Sequence, residues 1–387
     1  MSEWKEYKLE ELTISKGCYG IGAPAIPYAP NKHKYLRITD INDDGTLNRD
    51  SMMSVDDKNA DNYILKKNDI VFARTGNSTG RTYFYDGSDG KLVYAGFLIK
   101  FSLNEEKVNP RILKYYTHSK PYYDWVNSFD TGGTRGNINA KTYGAMPIVL
   151  PSRKVQDKII SILKPLDDKI ELNHRINENL EQQAQALFKH WFVDFAPFKD
   201  NNFIESEIGM IPKGWRVGTI DEIAKFKRGK TITEKDIQIG NIPVVAGGKR
   251  PAYYHSEYNA ESPVVTISAS GANAGFMRMY HENIWASDCS YIDKSCANIY
   301  WIYCFLANNK QLLKHAQTGA VQPHVKASDV NKFVIKIPPM EIIKKFEIMV
   351  KRFFDDIGQN LQESRLLENL RDTLLPKLMS GELNIDE

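Results

Sequence analysis

The 387-residue sequence predicts a mixed α/β protein in which two globular domains are separated by two long antiparallel coiled-coil helices, as an internal pseudo-twofold repeat. Three observations predict this fold. Segments of the second half match segments of the first at a constant spacing, short apolar runs precede Gly- and Asn-rich stretches, and two long polar segments carry an apolar residue at every seventh position. The predicted boundaries are 1–150 and 201–338 for the globular domains and 151–200 and 339–387 for the helical regions.

The repeat is strongest where each half ends. Residues 131–140 (TGGTRGNINA) match 318–327 (TGAVQPHVKA) at a spacing of 187, which continues without a gap into the following helical segment. The starts of the halves, 4–12 and 215–223, match at a spacing of 211 instead, so the first half is 24 residues longer. Similar ends with dissimilar middles favour a shared scaffold that carries two different recognition surfaces.

Short apolar runs predict the strands of each globular domain. Residues 69–73 (DIVFA) and 263–267 (PVVTI) are rich in the β-branched and aromatic side chains that favour strands. The glycine-containing stretches that follow, 75–80 (TGNSTG) and 270–275 (SGANAG), predict loops or tight turns that correspond between the halves.

A heptad pattern predicts the two helices and their pairing. Leucine or a related apolar residue recurs along an apolar seam of about four to five heptads in each segment, as coiled coils require. Asn173 and Asn360 occupy equivalent seam positions near the two midpoints, so an antiparallel pair would bring these amides together; the alternative is that one of them points to solvent. The predicted helix-pairing residues are Leu166, Ile170, Asn173, Leu180 and Leu187 in the first helix, and Phe353, Ile357, Asn360, Leu367 and Leu374 in the second.

Composition narrows the function. The net charge of +3 excludes a purely electrostatic nucleic-acid binder, and the small surplus in 1–150 and 201–338 is equally typical of solvated surface charge. The four cysteines form no CxxC pair, which argues against a disulfide scaffold or a zinc site. Neither a signal peptide nor an apolar run long enough to span a membrane is evident, so we expect a cytoplasmic protein.

Motifs for catalysis are missing from the sequence. Pro338-Pro339 is not the Pro-Pro motif of adenine methyltransferases, and the segment 228–231 (RGKT) lacks the first glycine of a phosphate-binding loop, which favours an ordinary loop. The segment 167–169 (DDK) has no partner acid on a strand, so we expect a solvated helix face. The eight histidines show no ligand spacing. We therefore predict no catalytic residue, no metal site and no cofactor in this chain.

Three local segments and the order of the domains carry a resemblance to a known family. Residues 184–195 (AQALFKHWFVDF), 207–215 (EIGMIPKGW) and 370–383 (LRDTLLPKLMSGEL) resemble, respectively, the end of the central helix, the entry into the second domain and the C-terminal signature of one family. That family is the specificity (S) subunit of type I restriction-modification systems. The resemblance covers essentially the whole chain, although the globular domains carry little fixed motif.

The resemblance implies a non-catalytic DNA sequence-specificity subunit. Each globular domain would be a target recognition domain that reads one half of a split, asymmetric site in double-stranded DNA. The helices would set the spacing and dock two modification (adenine methyltransferase) subunits, which restriction (endonuclease and translocase) subunits can join. S-adenosylmethionine, ATP and Mg would all belong to those partner subunits, and no membrane is involved.

Loop residues with the side chains that read base edges are the candidate DNA contacts. Arg suits guanine, and Asn or Gln suits adenine, whereas lysines more often contact phosphates. Any one of these residues is equally well explained as an ordinary polar loop residue. The predicted DNA-binding residues are Arg74, Asn77, Arg81, Arg135 and Asn137 in the first half, and Lys249, Arg250, Asn273, Gln322, His324 and Lys326 in the second.

Two alternatives to this function stay open. One alternative is a self-sufficient modification or restriction enzyme with unfamiliar motifs, which the absent motifs disfavour. The other is a silent recognition cassette without an active partner. The apolar clusters at the helix ends are also open to two interpretations, docking of a modification subunit or packing against the adjacent globular domain. These clusters are Trp191, Phe192 and Phe195, and Leu374, Leu375 and Leu378.

Overall fold

The computed structural model describes residues 4–130, 136–318 and 323–383. The chain divides into two compact units, one formed by 1–168 with 367–387 and the other by 169–366. No helix in the described ranges is both long and apolar enough to cross a membrane.

The first unit contains three sheets and its own helices. Strand β1 pairs with β9, a four-stranded sheet has the order β2-β8-β5-β6, and a three-stranded sheet has the order β4-β3-β7 with β3 and β7 parallel. The strands are β1 (Lys5–Lys8), β2 (Cys18–Tyr19), β3 (His33–Leu36), β4 (Met53–Val55), β5 (Asp69–Ala73), β6 (Thr82–Tyr85), β7 (Leu92–Tyr94), β8 (Leu98–Ser102) and β9 (Pro147–Leu150). The helices that begin in this unit are α1 (Arg111–Tyr116), α2 (Lys120–Asn127), α3 (Ala140–Gly144) and α4 (Arg153–Phe188).

The second unit repeats these sheets and adds one hairpin. Strand β12 pairs with β20, the four-stranded order is β13-β19-β16-β17, and the three-stranded order is β15-β14-β18 with β14 and β18 parallel. The strands are β10 (Phe203–Ile204) and β11 (Ile211–Pro212) in the hairpin, then β12 (Arg216–Thr219), β13 (Lys227–Arg228), β14 (Ile242–Val245), β15 (Tyr253–His255), β16 (Val264–Ser268), β17 (Met277–Tyr280), β18 (Trp285–Ala286), β19 (Cys289–Ile292) and β20 (Val334–Ile337). The helices are α5 (Ile299–Asn308), α6 (Lys310–His315), α7 (Ala327–Asn331) and α8 (Met340–Met379).

The matching strand orders confirm the mixed α/β fold and the internal repeat. Strands β5 and β16 occupy the same place in their sheets, and each ends before a short 3₁₀ turn, at Gly76–Ser78 and Gly271–Asn273 respectively. The predicted correspondence of 75–80 with 270–275 is therefore confirmed. The largest single difference in length lies between β3 and β4, where sixteen residues (37–52) stand against seven (246–252) between β14 and β15.

Alternate side chains of strand β5 belong to two different cores. All five of its residues are buried, and β8 and β6 pair with its two edges. Ile70 and Phe72 belong to the core that includes the helices of the first unit, whereas Val71 and Ala73 belong to a second core on the other face of the sheet. This is the period of two that a strand buried on both faces imposes.

The two long helices run antiparallel inside each unit. In the first unit, Leu163 of α4 shares a core with Leu375 and Leu378 of α8. In the second, the rings of Phe188 and Phe346 lie 5.7 Å apart. Residues later in α4 therefore contact residues earlier in α8, which confirms the predicted direction.

The buried face of the helices is shifted from the heptad positions. Of the predicted apolar seam residues, Ile170 and Ile357 are buried, while Leu166, Leu180, Leu187, Phe353, Leu367 and Leu374 are half-buried. The residues one position further on, Phe188, Phe354 and Leu375, are buried instead. An α-helix drifts by about 20° per heptad, and both helices also pack on globular residues, so the contact face moves around the helix.

The two seam asparagines lie in one polar cluster but do not pair side chain to side chain. The Asn173 amide nitrogen donates to a Glu363 carboxylate oxygen at 2.8 Å and to the Asn360 backbone carbonyl at 3.4 Å. The Asn360 amide nitrogen donates instead to the Asn177 side-chain oxygen at 2.8 Å. Because the side chain that Asn360 meets is on the next turn of α4, at Asn177, the expected direct amide pair is replaced by a staggered one.

Asp167 corrects the expectation of a solvated helix face. Its carboxylate is 8% exposed and bonds to Lys114 Nζ at 2.6 Å, to Tyr115 Oη at 2.9 Å and to Arg371 Nη1 at 3.2 Å. Asp168, by contrast, is exposed and forms an ion pair with Lys164 on the same helix. The expectation was therefore right for Asp168 and wrong for Asp167, since the neighbours of Asp167 come from α1 and α8.

Aromatic residues at the end of α4 pack inside the second unit. The ring of Phe192 lies 5.8 Å from Trp301 and 6.0 Å from Trp215, and Phe195 lies 5.2 Å from Trp215. Leu375 and Leu378 are likewise buried in the core of the first unit. These side chains therefore pack against residues of the globular domains and do not form an exposed docking cluster.

Candidate nucleic-acid interface

The loops that follow β5 and β16 share one backbone design. Each passes through a 3₁₀ turn whose first glycine has positive φ, +70° at Gly76 and +77° at Gly271, a conformation that favours glycine. Each then closes back on its strand, because Gly80 N donates to Ala73 O at 3.0 Å and Gly275 N donates to Ser268 O at 2.9 Å.

A second loop, distant in sequence, is bonded to each of these. Ile138 N donates to Arg74 O at 3.0 Å, and Val325 N donates to Ala269 O at 3.0 Å. We call residues 74–81 with 136–139 the first loop cluster, and residues 246–250, 269–275 and 323–326 the second loop cluster. The tertiary structure thus brings together candidate residues that are distant in the sequence, such as Arg81 and Asn137, 56 positions apart, and Asn273 and His324, 51 positions apart.

Buried tyrosines hold the first loop cluster at both ends of its turn. Tyr143 Oη donates to Ala73 O at 3.0 Å, and Tyr122 Oη donates to Gly80 O at 2.6 Å. Burial raises the pKa of both phenols, so both remain neutral donors. A binding loop tied to a rigid frame in this way presents its side chains with little loss of entropy on binding.

The predicted residues of the first loop cluster differ in how far they are already engaged. Arg81 forms an ion pair with Asp43 at 2.7 Å and donates to Ile41 O at 3.1 Å. Asn77 and Asn137 are exposed. Arg74 is half-buried and contacts aromatic rings rather than an acid. Arg135 lies outside the described residues.

In the second loop cluster, the loop after β14 is bonded to the turn after β16. Asn273 donates its amide to Gly247 O at 3.3 Å, and Ser268 Oγ donates to the same oxygen at 3.1 Å. Lys249 and Arg250 therefore lie beside this turn. His324 exchanges backbone hydrogen bonds with Thr318 at 2.8 and 2.9 Å.

One further candidate of the second cluster, Lys326, lies at its edge. Lys326 is exposed and precedes α7, where its backbone nitrogen donates to Asp329 Oδ2 at 3.4 Å. Gln322 lies outside the described residues.

Sequence reasoning missed three exposed residues beside these clusters. Tyr19 on β2 and Phe97 between β7 and β8 both contact Arg74. Arg228 on β13 takes the place of Tyr19 in the second unit, because Tyr19 and Arg228 each end the matching edge strand. The expectation of a loop at 228–231 was wrong at its first residue, since Arg228 pairs with Ser290 of β19. The aromatic residues Tyr19 and Phe97 are visible in the sequence, but their exposure and their contact with the distant Arg74 are not.

Each of these edge strands is followed by a glycine in close backbone contact. A Cβ at Gly20 would lie 2.3 Å from the carbonyl oxygens of Tyr94 and Ala95, and one at Gly229 would lie 2.2 Å from Ser287 O. Only glycine allows the chain to pass so near to the neighbouring backbone.

We expect Gly20→Ala to lower the free energy of unfolding by about 1–3 kcal/mol, because the methyl group overpacks against rigid backbone. Gly22→Ala is the matched control, since a Cβ there would have open space within 4 Å. Urea denaturation of both variants measures the difference. Equal stability of the two would show that the strand relaxes freely and would contradict the expectation.

Among the described residues, no group of three or more His, Cys, Asp or Glu side chains is arranged to hold a metal ion. The chemistry that the two clusters offer is hydrogen-bond donation from Arg, Lys and Asn side chains on loops rich in glycine. That donor set suits an extended polyanion with base edges to recognise.

Comparison with known proteins identifies the family of the chain. A family model described as the type I restriction modification DNA specificity domain matches residues 1–182 and 212–366. The type I restriction enzyme MjaIX specificity subunit of Methanocaldococcus jannaschii is 31% identical over 300 residues, which cover 71% of this chain and 69% of that protein. The type I restriction enzyme HindI specificity subunit of Haemophilus influenzae is 24% identical over 478 aligned positions, covering 99% of this chain and 100% of that protein.

Solved structures show the same fold. The S subunit of a type I restriction-modification system from M. genitalium superposes with a TM-score of 0.59 at 15% sequence identity, over 97% of this chain and 96% of that one. The family match covers well over half of the chain and includes both edge strands and both turns. The chain therefore belongs to the family of DNA specificity subunits of type I restriction-modification systems.

Proposed function

We propose that this specificity subunit reads a split, asymmetric site in double-stranded DNA, with one half-site read by each globular domain. The recognition domains would be 1–150 and 201–338, joined by the helical regions 151–200 and 339–387. The observation that carries the proposal is the pair of loop clusters: one backbone design occurs twice, with different side chains on it. A duplicated frame suits two half-sites, and different side chains suit two different sequences.

The donors of the loop clusters support specific rather than purely electrostatic binding. With a net charge of +3, the chain cannot rely on phosphate neutralisation alone. We assign base reading to the arginine and asparagine side chains of the clusters, and phosphate contacts to Lys249 and Lys326. The ion pair between Arg81 and Asp43 makes Arg81 a weaker candidate than Arg74, because DNA would have to displace the carboxylate.

The helices provide the surface for partner subunits in this proposal. Several apolar side chains on the two helices are exposed, among them Leu172 and Ile176 of α4 and Leu366 and Leu370 of α8. Exposed apolar residues grouped on helices are typical of protein interfaces. We assign them to the docking of two adenine methyltransferase subunits, which would bring S-adenosylmethionine and act on cytoplasmic DNA. Restriction subunits that use ATP and Mg would join the same complex, and this chain would catalyse no step itself.

Deletion of the gene tests the proposal. In the source cell, we expect methylated adenines at one split motif, with an adenine in each half, to disappear when the gene is deleted and to return when it is restored on a plasmid. Genome-wide mapping of methylated adenine measures this. An unchanged methylation map, in a cell where a methyltransferase subunit copurifies with the chain, would contradict the proposal.

A self-sufficient enzyme predicts a different result. In that case the purified chain alone would transfer methyl groups to DNA or cleave it. We expect neither activity from the chain alone, and we expect methyl transfer only when the copurifying subunit is added with S-adenosylmethionine.

A further inference from the structure

Arg74 lies against two exposed aromatic rings at the surface of the first unit. Its guanidinium carbon is 5.2 Å from the centre of the Tyr19 ring and 5.7 Å from the centre of the Phe97 ring. Tyr19 is 44% exposed and Phe97 is 55% exposed. Two exposed aromatic rings grouped around one cation are typical of a binding surface.

The contacts of the three residues hold them in place. Arg74 N donates to Phe97 O at 3.1 Å, which fixes the arginine backbone beside the Phe97 loop. Tyr19 Oη accepts from Ala140 N at 3.1 Å, which fixes the ring at the start of α3. The arginine stem is therefore held from β2, from the β7–β8 loop and from its own strand, and its head has little freedom to swing.

The hydrogen-bond donors of Arg74 are not used within the described part of the chain. Its Nε is buried without a partner, and no acidic side chain among the described residues pairs with its guanidinium. Arg81, seven positions later, has its charge neutralised by Asp43. A held arginine with unused donors fits a ligand that presents two acceptors side by side.

Guanine presents such a pair in the major groove of DNA, at O6 and N7, and arginine meets both with two parallel hydrogen bonds. A phosphate would be an equally good acceptor. A side chain that contacts phosphate, however, needs freedom to extend more than a fixed orientation. The two rings restrict how far Arg74 can extend and fix the orientation of its guanidinium, which favours a base edge. We propose that Arg74 reads a guanine in the half-site of the first domain, and that Tyr19 and Phe97 are positioning residues for it. This inference rests on the DNA-reading function proposed above.

The second unit does not repeat this reader. Ala269 takes the place of Arg74, and Asp288 takes the place of Phe97, because Ala269 N donates to Asp288 O at 3.2 Å as Arg74 N does to Phe97 O. Ser270 Oγ donates to the Asp288 carboxylate there. An exposed arginine appears instead on the edge strand, at Arg228. Equivalent places on one frame thus carry different chemistry, so the guanine reader belongs to one half-site alone.

The test compares Arg74→Lys and Arg74→Ala with Arg153→Ala, each expressed as the full chain in the source cell from which the native gene has been deleted. Methylated adenines are then mapped. We expect both Arg74 variants to lose the preference for guanine at one position of one half-site while the other half-site stays unchanged. Arg153→Ala, which removes an arginine that lies outside the loop clusters and whose charge Asp157 neutralises, should leave the motif as it is.

Binding by the complex that copurifies with the chain gives the second readout. We expect Arg74→Lys to weaken binding to the preferred duplex about 5- to 150-fold, and to bind a duplex changed at that guanine as the parent does. The slope of log affinity against log salt concentration should change little, whereas loss of a phosphate contact would lower it by about one. Tyr19→Leu and Phe97→Leu should show the same loss of preference more weakly, and Tyr19→Phe should show less of it than Tyr19→Leu because the ring remains without the hydrogen bond from Ala140 N.

Three results would overturn the inference and leave the proposed function intact. They are a parent motif with no guanine in either half-site, an unchanged motif in Arg74→Lys, and a uniform loss of affinity on all duplexes with a lower salt slope. A parent chain that directs no methylation in a cell with an active partner subunit would be a failure of the proposed function itself.

Discussion

We expect Asp167→Ala to lower the free energy of unfolding of the first unit by about 3 kcal/mol. The carboxylate is 8% exposed and takes hydrogen bonds from Lys114, Tyr115 and Arg371. Its removal leaves two cations and a buried phenol without their shared acceptor, and the cost of such orphaned groups exceeds the net value of the pair. Urea denaturation at pH 7 measures the effect.

The pH dependence of this stabilisation follows from the pKa of Asp167. Burial raises that pKa, but the charges of Lys114 and Arg371 and the hydrogen bonds to the carboxylate outweigh burial and lower it. A carboxyl group with a lowered pKa in the folded state stabilises the protein above its unfolded pKa of about 3.9, and this contribution is lost as the pH falls further. The stability difference between the parent and Asp167→Asn should therefore be full at pH 7 and shrink below about pH 4.

Asp168→Ala is the matched control for this prediction. Asp168 is adjacent on the same helix, and its ion pair with Lys164 is half exposed. Exposed pairs contribute about 0–1 kcal/mol, so this variant should stay close to the parent. Equal losses from Asp167→Ala and Asp168→Ala would mean that the network around Asp167 contributes nothing beyond helix charge.

We expect Phe188→Ala to lower the free energy of unfolding of the second unit by about 3–5 kcal/mol. Its ring is 1% exposed and packs against Phe192 at 4.9 Å and against Trp301 and Phe346 at 5.7 Å each. Truncation to alanine would leave a cavity among large rings that other elements hold in place, and such a cavity cannot collapse without disturbing them.

Leu187→Ala provides the comparison because the heptad pattern selects Leu187 rather than Phe188. Leu187 is half-buried at the edge of the same core, so its truncation should lower the free energy of unfolding by about 1 kcal/mol. Far-UV circular dichroism during urea denaturation measures both variants. If Leu187→Ala lowered the free energy of unfolding more than Phe188→Ala, the buried seam would lie on the heptad face, and Phe188 would not be the main packing residue.

Some of the architecture could be read from the chain because local patterns carry it. The match of 131–140 with 318–327 revealed the repeat, since similar segments at a constant spacing indicate repeated structural units. The apolar run 69–73 became the central strand β5, and the heptads became α4 and α8. The paired glycine loops were also predicted, because few residues other than glycine adopt a positive φ or allow two backbone segments to approach so closely.

What the tertiary structure decided was which partner each side chain meets. Arg74 and Arg81 look alike in sequence, but Asp43 neutralises only Arg81, while Arg74 lies against Tyr19 and Phe97. Asp167 and Asp168 are adjacent, yet only Asp167 meets α1 and α8. The sequence pattern of one segment does not specify which residues, tens or hundreds of positions away, its side chains will contact. The sequence by itself therefore determined the repeat and its elements, and only the folded chain decided which charges are satisfied and which remain to bind a ligand.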